Sequence, residues 1–580
     1  MRNSLRTVWP YLLRYRRGLA LGMSSLLLKD VAAAGLPLII RAAIDALTAG
    51  QRLPRIVFFA ACLVGLCLLK GIFQYGMRVI LIGISRDIEY DLRNDLFHRL
   101  VNLSPEYFGR NRTGDIMARA TNDLNAVRMM LGPGVMYWFE TSLTFALTIG
   151  VMAWIDWRLM ILAILPAPIV SIAVIFFGRA IHSRFESIQA MFSDISSRVQ
   201  ENLSGIRMVR AFVQEQAEVA KFERLNREYI HHNLKLVRVQ GFFQPMLEAL
   251  IGVTFLTVLW AGGLQVVAGR ISIGSFVMFN TYMGMLVWPM IALGWVVNLM
   301  QRGGASLDRI NRILHEEPTI TSKPEAYAPD IVRGEIEFRN VTVDYPAGAA
   351  ISGCSLHVCP STTIAIVGHT GCGKSTLVSL IPRLLDPSNG SVLLDNVDVR
   401  DWSLPALRRS IGFVPQETFL FSATLAENIA FGVEDATPEE IRHAAELAGL
   451  APDVEGFPDG YRTLVGERGI TLSGGQKQRT AIARALLRNP RILILDDALS
   501  SVDTMTEERI LTSLSSVMLG RTVILISHRV STVRQADLIV VLNGGKVVEK
   551  GSHAQLSNSG GYYAELARKQ MLEEELEAAS

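Results

Sequence analysis

The most constraining feature of the sequence is a series of long apolar stretches in its first half. A helix needs about 20 residues to cross a bilayer, and six stretches are long enough. They lie near residues 19–41, 56–83, 133–155, 158–178, 245–268 and 274–300. With 50% hydrophobic and only 19% charged residues, the chain is too apolar for an ordinary soluble enzyme. We therefore predict an all-α domain with six membrane-spanning helices.

The connections between these stretches alternate in length and charge. Three are short: Asp45 to Arg55, the corner Asp156–Trp157, and Gly269 to Gly274. The other two, 84–132 and 179–244, are long and rich in Arg and Lys. Because basic loops stay in the cytoplasm, both long loops and both termini are predicted to be cytoplasmic.

The first 17 residues carry five arginines and no acidic residue. Since apolar helices follow at once, this segment indicates a cytoplasmic membrane anchor rather than a cleaved signal peptide, and a mitochondrial transit peptide is the alternative. We predict a multi-pass protein of a bacterial inner membrane. A net charge of +3 gives no argument for nucleic acid as a partner.

The long inner connections have helical periodicity. Apolar residues recur at helical spacing at Ile88, Leu92, Leu96, Leu100 and Leu103, and again at Ile195, Val199, Leu203 and Ile206. The membrane helices are therefore expected to continue well beyond the bilayer and to end in polar turns at 108–115 and 211–218.

The character of the sequence changes after the last apolar stretch. Segment 316–330 is polar and rich in Pro, which is typical of a linker. Strand-like runs at Glu335–Val343, Thr363–Val367 and Ile492–Leu495 then alternate with helical patterns, as in an α/β domain with a largely parallel sheet. We predict a membrane domain at 1–315, a linker at 316–332 and an α/β domain at 333–580.

A glycine-rich loop joins one of these strands to a helix. GHTGCGKST spans Gly368–Thr376 and matches G-x-x-x-x-G-K-[ST], in which backbone amides and a helix N-terminus surround phosphate oxygens. Lys374 is expected to hold the β- and γ-phosphates, and Ser375 to ligate Mg²⁺. The candidate phosphate-binding residues are Gly368, His369, Thr370, Gly371, Cys372, Gly373, Lys374, Ser375 and Thr376.

Cysteine spacing excludes a disulfide framework and a paired zinc motif. The chain has five cysteines, and we expect them to be reduced thiols. Cys372 differs from the rest because it lies inside the phosphate loop, so alkylation of Cys372 is expected to block ATP binding.

Two further segments belong to the same chemistry. RILILDD, Arg491–Asp497, is an apolar strand that ends in carboxylates, and Asp496 is placed to orient the Mg²⁺ shell. LSGGQ, Leu472–Gln476, precedes a helix and forms a second anion-binding terminus. The residues of this second cradle are Ser473, Gly474, Gly475 and Gln476. A second cradle is redundant unless it serves the nucleotide of another molecule.

With these motifs together, nearly the whole chain resembles a half-transporter of the ATP-binding cassette (ABC) exporter superfamily. The resemblance implies ATP and Mg²⁺ as cofactors, hydrolysis coupled to transport, and a second half-transporter as partner. In that family two cassettes dimerise head to tail, with ATP between the Walker A loop of one and LSGGQ of the other. A soluble cassette ATPase that acts on DNA shares the motifs, but six membrane spans exclude it.

The resemblance also implies roles for single residues. Tyr345 in VTVDYP matches the aromatic residue that stacks on adenine, and Gln416 in GFVPQETF matches the Q-loop residue that links Mg²⁺ and the attacking water to the membrane domain. SSVD, Ser500–Asp503, matches the D-loop, and His528 in LISHR matches the switch histidine. The turns at 108–122 and 211–222 resemble coupling helices. The implied catalytic residues are Asp497, His528, Gln416 and Lys374, and the implied metal ligands are Ser375, Gln416 and Asp496.

Asp497 departs from the family pattern, which has glutamate as the catalytic base. Aspartate is shorter by one methylene, about 1.5 Å, and a misplacement of about 1 Å can cost about 10²-fold in rate. The chain therefore forms either a slow homodimer or a heterodimer whose other half has an intact glutamate. The retained LSGGQ and His528 favour the heterodimer.

The cargo is less constrained than the ATP site. A fused membrane domain resembles exporters, and polarizable side chains in the last span suit an amphiphilic or hydrophobic substrate that is drug-like or lipid-like. Lipid-facing packing explains the same residues as well. They are Met278, Phe279, Tyr282, Met283, Met285, Trp288 and Met290.

Three charged residues fall near the middle of predicted spans: Lys29, Asp30 and Lys70. Charges there are costly and often functional, although a water-filled cavity or shifted helix boundaries would also explain them. Lys29 and Asp30 are adjacent and point to different helix faces, so we expect them not to pair simply.

The alternative function is an ATP-gated channel or a regulatory subunit. The sequence has no long insertion between the two domains, which argues against a channel.

Overall fold

The computed structural model of the chain describes residues 4–346, 348–466, 469, 471–502 and 504–579. These residues form two compact units. One comprises Met1–Val101 and Arg112–Glu316, and the other comprises Asn102–Asn111 and Glu317–Ser580. Helices build the first unit, whereas the second contains all the described strands.

The first unit is an array of long helices. They are α1 (Ser4–Arg14), α2 (Arg16–Thr48), α3 (Leu53–Asn102), α5 (Thr113–Ala118), α6 (Leu124–Met129), α7 (Val135–Ile164), α8 (Ala167–Ser204), α9 (Ile206–Ala211), α10 (Glu215–Val267) and α11 (Ile273–Leu314), with π-helical turns at Arg119–Asp123 and Met130–Gly134. The short helix α4 (Pro105–Arg110) belongs to the second unit.

Six helical segments of the described chain are long and apolar enough to cross a membrane, as predicted. They are Arg16–Thr48, Leu53–Asn102, Thr113–Ile164, Pro168–Ser204, Glu215–Val267 and Ile273–Leu314. Three of them run far beyond the predicted apolar stretches: α3 continues to Asn102, α8 continues to Ser204, and α10 begins at Glu215. The predicted helical extensions are therefore confirmed.

The predicted fourth span, 158–178, is wrong as a single helix. It is interrupted at Leu165–Pro166, between the end of α7 and the start of α8, because proline has no N–H to continue the helical hydrogen bonds. The predicted corner at Asp156 is present inside α7, where Asp156 is non-helical with φ −153° and ψ 103°. Its Oδ1 accepts from the backbone N–H groups of Arg158 and Leu159 at 2.9 and 3.0 Å, as an N-cap does.

A cluster of charges lies inside the first unit and corrects one prediction. Lys29 Nζ lies 2.7 Å from Asp30 Oδ1 and 2.5 Å from Glu140 Oε1, so Lys29 does pair with its neighbour. The long lysine side chain bends back to a carboxylate that stays close to the helix. Thr144 donates to Asp30 at 3.3 Å. The Lys29 and Asp30 side chains are only 6% and 1% exposed, so this cluster ties α2 to α7 within the unit.

The Met and aromatic residues of the last span are mostly core residues. Met278, Phe279 and Tyr282 are fully buried against side chains of α7 and α10. The Tyr282 hydroxyl donates to the carbonyl oxygen of Ala34 at 2.5 Å. Neither a ligand-accepting surface nor lipid-facing packing describes these three residues, whereas Trp288 is 58% exposed.

The second unit contains two sheets rather than one largely parallel sheet. A four-stranded antiparallel sheet has the order β2-β1-β4-β5, and a six-stranded sheet has the order β10-β9-β3-β8-β7-β6. In the larger sheet only β10 is antiparallel to its neighbour. The strands are β1 (Ile336–Tyr345), β2 (Gly348–Val358), β3 (Thr363–Val367), β4 (Asn389–Leu394), β5 (Val397–Asp398), β6 (Ile411–Val414), β7 (Ile492–Asp496), β8 (Thr522–Ile526), β9 (Leu538–Asn543) and β10 (Lys546–Gly551).

Helices follow most strands of this unit. They are α12 (Lys374–Ser379), α13 (Leu404–Arg409), α14 (Leu425–Ala430), α15 (Pro438–Leu447), α16 (Ala451–Glu455), α17 (Gly474–Leu487), α18 (Thr504–Met518), α19 (Val530–Val533), α20 (His553–Ser557) and α21 (Tyr562–Ala579), with a 3₁₀ turn at Gly460–Arg462. Strands β3, β7 and β8 are buried along most of their length, which explains their continuous apolar runs.

We expect Lys29→Met to destabilise the first unit, because it leaves two carboxylates without their cation. Removal of one partner of a buried ion pair costs about 3–5 kcal/mol. Thermal unfolding of the protein in nanodiscs measures the effect, with Lys70→Met as the matched control, since Lys70 forms no ion pair with a described residue. Asp30→Asn added to Lys29→Met should restore part of the loss. Equal melting temperatures for Lys29→Met and Lys70→Met would contradict a stabilising role.

Candidate nucleotide site

Strand register brings the candidate residues to one edge of the six-stranded sheet. Ile366 of β3 pairs with Ile526 of β8, which pairs with Asp496 of β7. Leu495 in turn pairs with Val414 of β6. Because these strands are parallel, their carboxyl ends meet, and ligands of open α/β sheets bind at that edge. Asp496 is the last residue of β7, and the phosphate loop, His528 and Gln416 follow the ends of the other three strands.

The glycine-rich loop is shaped by close backbone approaches. Gly368 has φ +154°, and a Cβ there would lie 2.2 Å from the Leu542 carbonyl oxygen. Gly373 has φ +101°, and its Cβ would lie 2.5 Å from the Ala350 carbonyl oxygen. Any side chain at either position would displace the loop. His369, Thr370 and Gly371 are exposed at its rim, whereas Ser375 and Thr376 are half-buried at the start of α12.

Lys374 lies inside this loop. Its ammonium donates to the carbonyl oxygens of Gly368 and His369 at 2.8 and 2.9 Å and lies 3.9 Å from the Cys372 sulfur. The side chain is 7% exposed, so its charge is held at the centre of the loop. A cation fixed there attracts phosphate oxygens more strongly than a solvated lysine does.

Asp496 and Ser375 meet beside the loop. Burial raises the pKa of Asp496, as does the neighbouring charge of Asp497. The Ser375 hydroxyl and the Lys374 charge are close enough to act in the opposite direction and lower it. A hydroxyl and a carboxylate side by side are the protein ligands that a P-loop offers to Mg²⁺.

Asp497 follows β7 in a left-handed conformation, with φ +49°. Its backbone N–H donates to the Ile526 carbonyl oxygen at 2.9 Å, so the main chain at this position is tied to β8. The carboxyl group of Asp497 is half-buried and close enough to raise the pKa of His528 by its charge. Because the backbone is held, the distance that this carboxylate can extend from the main chain depends on the length of the side chain.

His528 follows β8 and faces the same group of charges. Burial lowers the pKa of His528, and so does the charge of Lys374, whereas Asp497 and Asp496 raise it. The backbone around His528 is held by Gln570 of α21, which the sequence analysis missed. Gln570 Nε2 donates to the His528 carbonyl oxygen at 2.7 Å, and the Val530 N–H donates to Gln570 Oε1 at 2.6 Å.

Tyr562, the first residue of α21, was also missed. Its ring packs edge-on against His369 of the phosphate loop, with the ring centroids 4.5 Å apart. No motif in the sequence marks Tyr562 or Gln570, because both act through tertiary contacts of an ordinary helix.

The LSGGQ segment forms the N-terminus of α17. Ser473 is the N-cap in a capping box with Gln476: the Gln476 N–H donates to Ser473 Oγ, and the Ser473 N–H donates to Gln476 Oε1. The spacing S-x-x-Q in the sequence predicts such a capping box. A Cβ at Gly474 or Gly475 would lie 3.2 or 3.1 Å from Ser501 atoms, so the glycines admit the D-loop. Asp503 of the predicted D-loop lies outside the described residues.

Gln416 and Tyr345 lie at the surface. Gln416 is exposed in the turn after β6, and Tyr345 is 46% exposed at the end of β1. Both side chains are accessible to a ligand. Among the described residues, no hydrogen bond or ion pair joins LSGGQ to Lys374 or Asp496.

The donor set fits a nucleoside triphosphate with Mg²⁺. The loop supplies backbone amides where glycines permit close approach, a buried ammonium lies among them, and Ser375 and Asp496 adjoin it. Such residues bind phosphate oxygens and complete a Mg²⁺ shell.

Alkylation of Cys372 is expected to abolish nucleotide binding, because an adduct would fill the space beside Lys374 and Gly368. Cys372 is 6% exposed, so modification should be slow and ATP should protect against it. N-ethylmaleimide treatment followed by titration with a fluorescent ATP analogue measures this, with Cys372→Ser as the matched resistant variant. Full nucleotide affinity after complete, mass-verified modification of Cys372 would contradict this prediction.

Comparison with known proteins agrees with this geometry. The family described as "ABC transporter transmembrane region" matches residues 19–290, and the family described as "ABC transporter" matches residues 351–500. The chain is 38% identical to "Multidrug resistance-like ATP-binding protein MdlA" of Escherichia coli, over 92% of this chain and 90% of that protein. It is 35% identical to "ATP-dependent lipid A-core flippase" of Syntrophus aciditrophicus, over 96% of this chain and 93% of that protein.

A solved structure gives the same result. The fold matches a bacterial Atm1-family ABC exporter with ATP bound, with a TM-score of 0.80 and 29% identity, over 96% of this chain and 98% of that chain. The predicted fold class, six membrane helices followed by a P-loop α/β domain, is confirmed. The chain belongs to the ABC transporter family, as a multi-pass membrane half-transporter whose ATP-binding domain hydrolyses ATP to drive export.

Proposed function

We propose that this chain exports an amphiphilic or hydrophobic substrate by alternating access, as one half of a dimer. The observation that carries the proposal is that one chain combines six helices long enough to span a membrane with a nucleotide site in which Lys374, Asp496 and His528 lie at the ends of neighbouring parallel strands. ATP binding closes the cassettes and turns the membrane cavity outward, and hydrolysis with product release resets it. The relatives named for multidrug resistance and for lipid A-core flipping support a drug-like or lipid-like cargo.

Within the nucleotide site we assign roles by position. Lys374 and the amides of Gly368–Thr376 bind the phosphates, Tyr345 stacks on adenine, and Ser375, Asp496 and Gln416 complete the Mg²⁺ shell. Asp497 holds the position of the base for the attacking water, as a weak base, and His528 contacts the γ-phosphate. Ser473–Gln476 bind the nucleotide of the partner cassette, a role supported by their place at the N-terminus of α17, which attracts anions.

For the dimer we favour a heterodimer. The backbone of Asp497 is tied to Ile526, so an aspartate cannot recover the missing methylene by a simple shift of its main chain. A glutamate-bearing partner would supply the active site, completed by the LSGGQ of this chain. A homodimer with slow turnover is the alternative.

For the architecture we propose a membrane domain at 1–315, a linker at 316–332 and a cassette at 333–580. The turns at 108–122 and 211–222 act as coupling segments. The basic inner loops support an inner-membrane location in a bacterium, with the cassette and both termini in the cytoplasm.

Transport into inverted vesicles distinguishes a pump from a channel. A channel would pass substrate passively when ATP binds, whereas a pump accumulates substrate in the vesicles only during hydrolysis.

The narrow apolar cavity between Met283 and Met290 has a volume of about 30 Å³. Ligand sites for drug-sized molecules measure about 300–1,000 Å³, so this cavity does not hold the cargo. We propose instead that both halves of the dimer line the substrate site together.

Asp497→Glu tests the dimer proposal. In nanodiscs containing this chain alone, we expect Mg-ATP hydrolysis near background for the natural sequence and an increase of about 10- to 100-fold for Asp497→Glu, because the longer carboxylate reaches the water. Lys374→Ala provides the inactive control. Robust natural activity that Lys374→Ala removes and Asp497→Glu hardly changes would instead support the homodimer.

The pH dependence of hydrolysis follows from the shifted pKa of His528. Because burial lowers this pKa from its usual value of 6.5, the imidazole is neutral at pH 7. The turnover number of the faster of the natural and Asp497→Glu proteins should stay level from pH 8 to about 6.5 and fall below it. An acid limb that begins above pH 7 would contradict the lowered pKa of His528.

A further inference from the structure

The backbone after β8 is held from two sides. On one side, the Arg529 guanidinium donates to the buried carboxylate of Glu507 and, at 3.1 Å, to the Val502 carbonyl oxygen. Thr532 also donates to Glu507, which is 2% exposed. These contacts fix the residues that follow His528 but leave the peptide group of His528 itself to another partner.

Gln570 is that partner. Its amide uses both ends: Nε2 donates to the His528 carbonyl oxygen at 2.7 Å, and Oε1 accepts from the Val530 N–H at 2.6 Å. Val530 is the first residue of α19, so Gln570 satisfies one of the N–H groups that a helix start leaves unpaired. Both hydrogen bonds are made with backbone atoms, one on each side of Arg529.

The helix that carries Gln570 also touches the phosphate loop. Tyr562, eight residues earlier on α21, packs against His369, and at about 1.5 Å per residue the two contacts lie about 12 Å apart. The helix is anchored at its start, where Glu549 accepts from the Tyr562 N–H at 2.6 Å. One helix therefore contacts the loop that holds phosphate and the loop that presents His528.

We propose that Gln570 is a positioning residue for ATP hydrolysis, which sets the orientation of His528 by binding the backbone on both sides of Arg529. It acts through the backbone next to His528 and not by contact with the nucleotide. The inference rests on the proposed role of His528 at the γ-phosphate. A side chain that is misplaced by about 1 Å can lower a reaction rate about 10²-fold. Loss of the two Gln570 hydrogen bonds, with α19 still formed, should lower the rate of hydrolysis about tenfold.

A double-mutant cycle tests this in the full-length chain, in whichever of the natural and Asp497→Glu backgrounds turns over faster. The variants are Gln570→Ala, His528→Ala and the pair. We expect Gln570→Ala to lower kcat about tenfold with the KM for ATP within about twofold, and the pair to be no slower than His528→Ala alone, since coupled residues are not additive. Gln570→Glu, which keeps the acceptor but loses the donor to His528, should be as slow as Gln570→Ala.

Arg568→Ala is the matched control, because Arg568 is exposed on the same helix and the change keeps its helical propensity. Its kcat should equal that of the parent. Losses that add in full in the pair, or an unchanged kcat in Gln570→Ala, would overturn the role of Gln570 while leaving that of His528 intact. An unchanged kcat in His528→Ala would instead remove the proposed role of His528 and the inference with it.

Discussion

The nucleotide site depends on the parallel pairing of β3, β8, β7 and β6. Each strand contributes one turn at its carboxyl end, and the register places these turns side by side. The apolar runs of β3, β7 and β8 are buried, and the charged residue among these three strands, Asp496, is the last residue of β7. The chemistry is thus concentrated at one edge by the same packing that stabilises the domain.

Much of this site was predictable from the sequence. Gly368–Thr376, Asp496 and Ser473–Gln476 occupy motifs whose spacing is set by local backbone geometry. As expected, the structure has the first motif between β3 and α12, Asp496 at the end of β7, and Ser473 at the start of α17. The six membrane segments were equally predictable, because the length and hydropathy of a segment do not depend on tertiary contacts. The helix break at Pro166 shows the limit of that approach, since hydropathy ignores the missing N–H.

What the sequence could not reveal are contacts between distant positions. Gln570 and Tyr562 gain their importance from loops some 40 and 190 residues earlier in the chain. The antiparallel sheet formed by β1, β2, β4 and β5 was missed because strand pairing is not visible in periodicity. The pairing of Lys29 with Asp30 was misjudged because helical geometry describes Cβ directions, whereas a lysine side chain has four carbons with which to turn back.

The cluster of Lys29, Asp30 and Glu140 has a further consequence. Its contacts join α2 to α7, and the Lys29 and Asp30 side chains are almost completely buried. Pulling the two helices apart would leave buried polar groups without their partner, which costs about 3–5 kcal/mol. Any rearrangement of the first unit should therefore move α2 and α7 together, as one body.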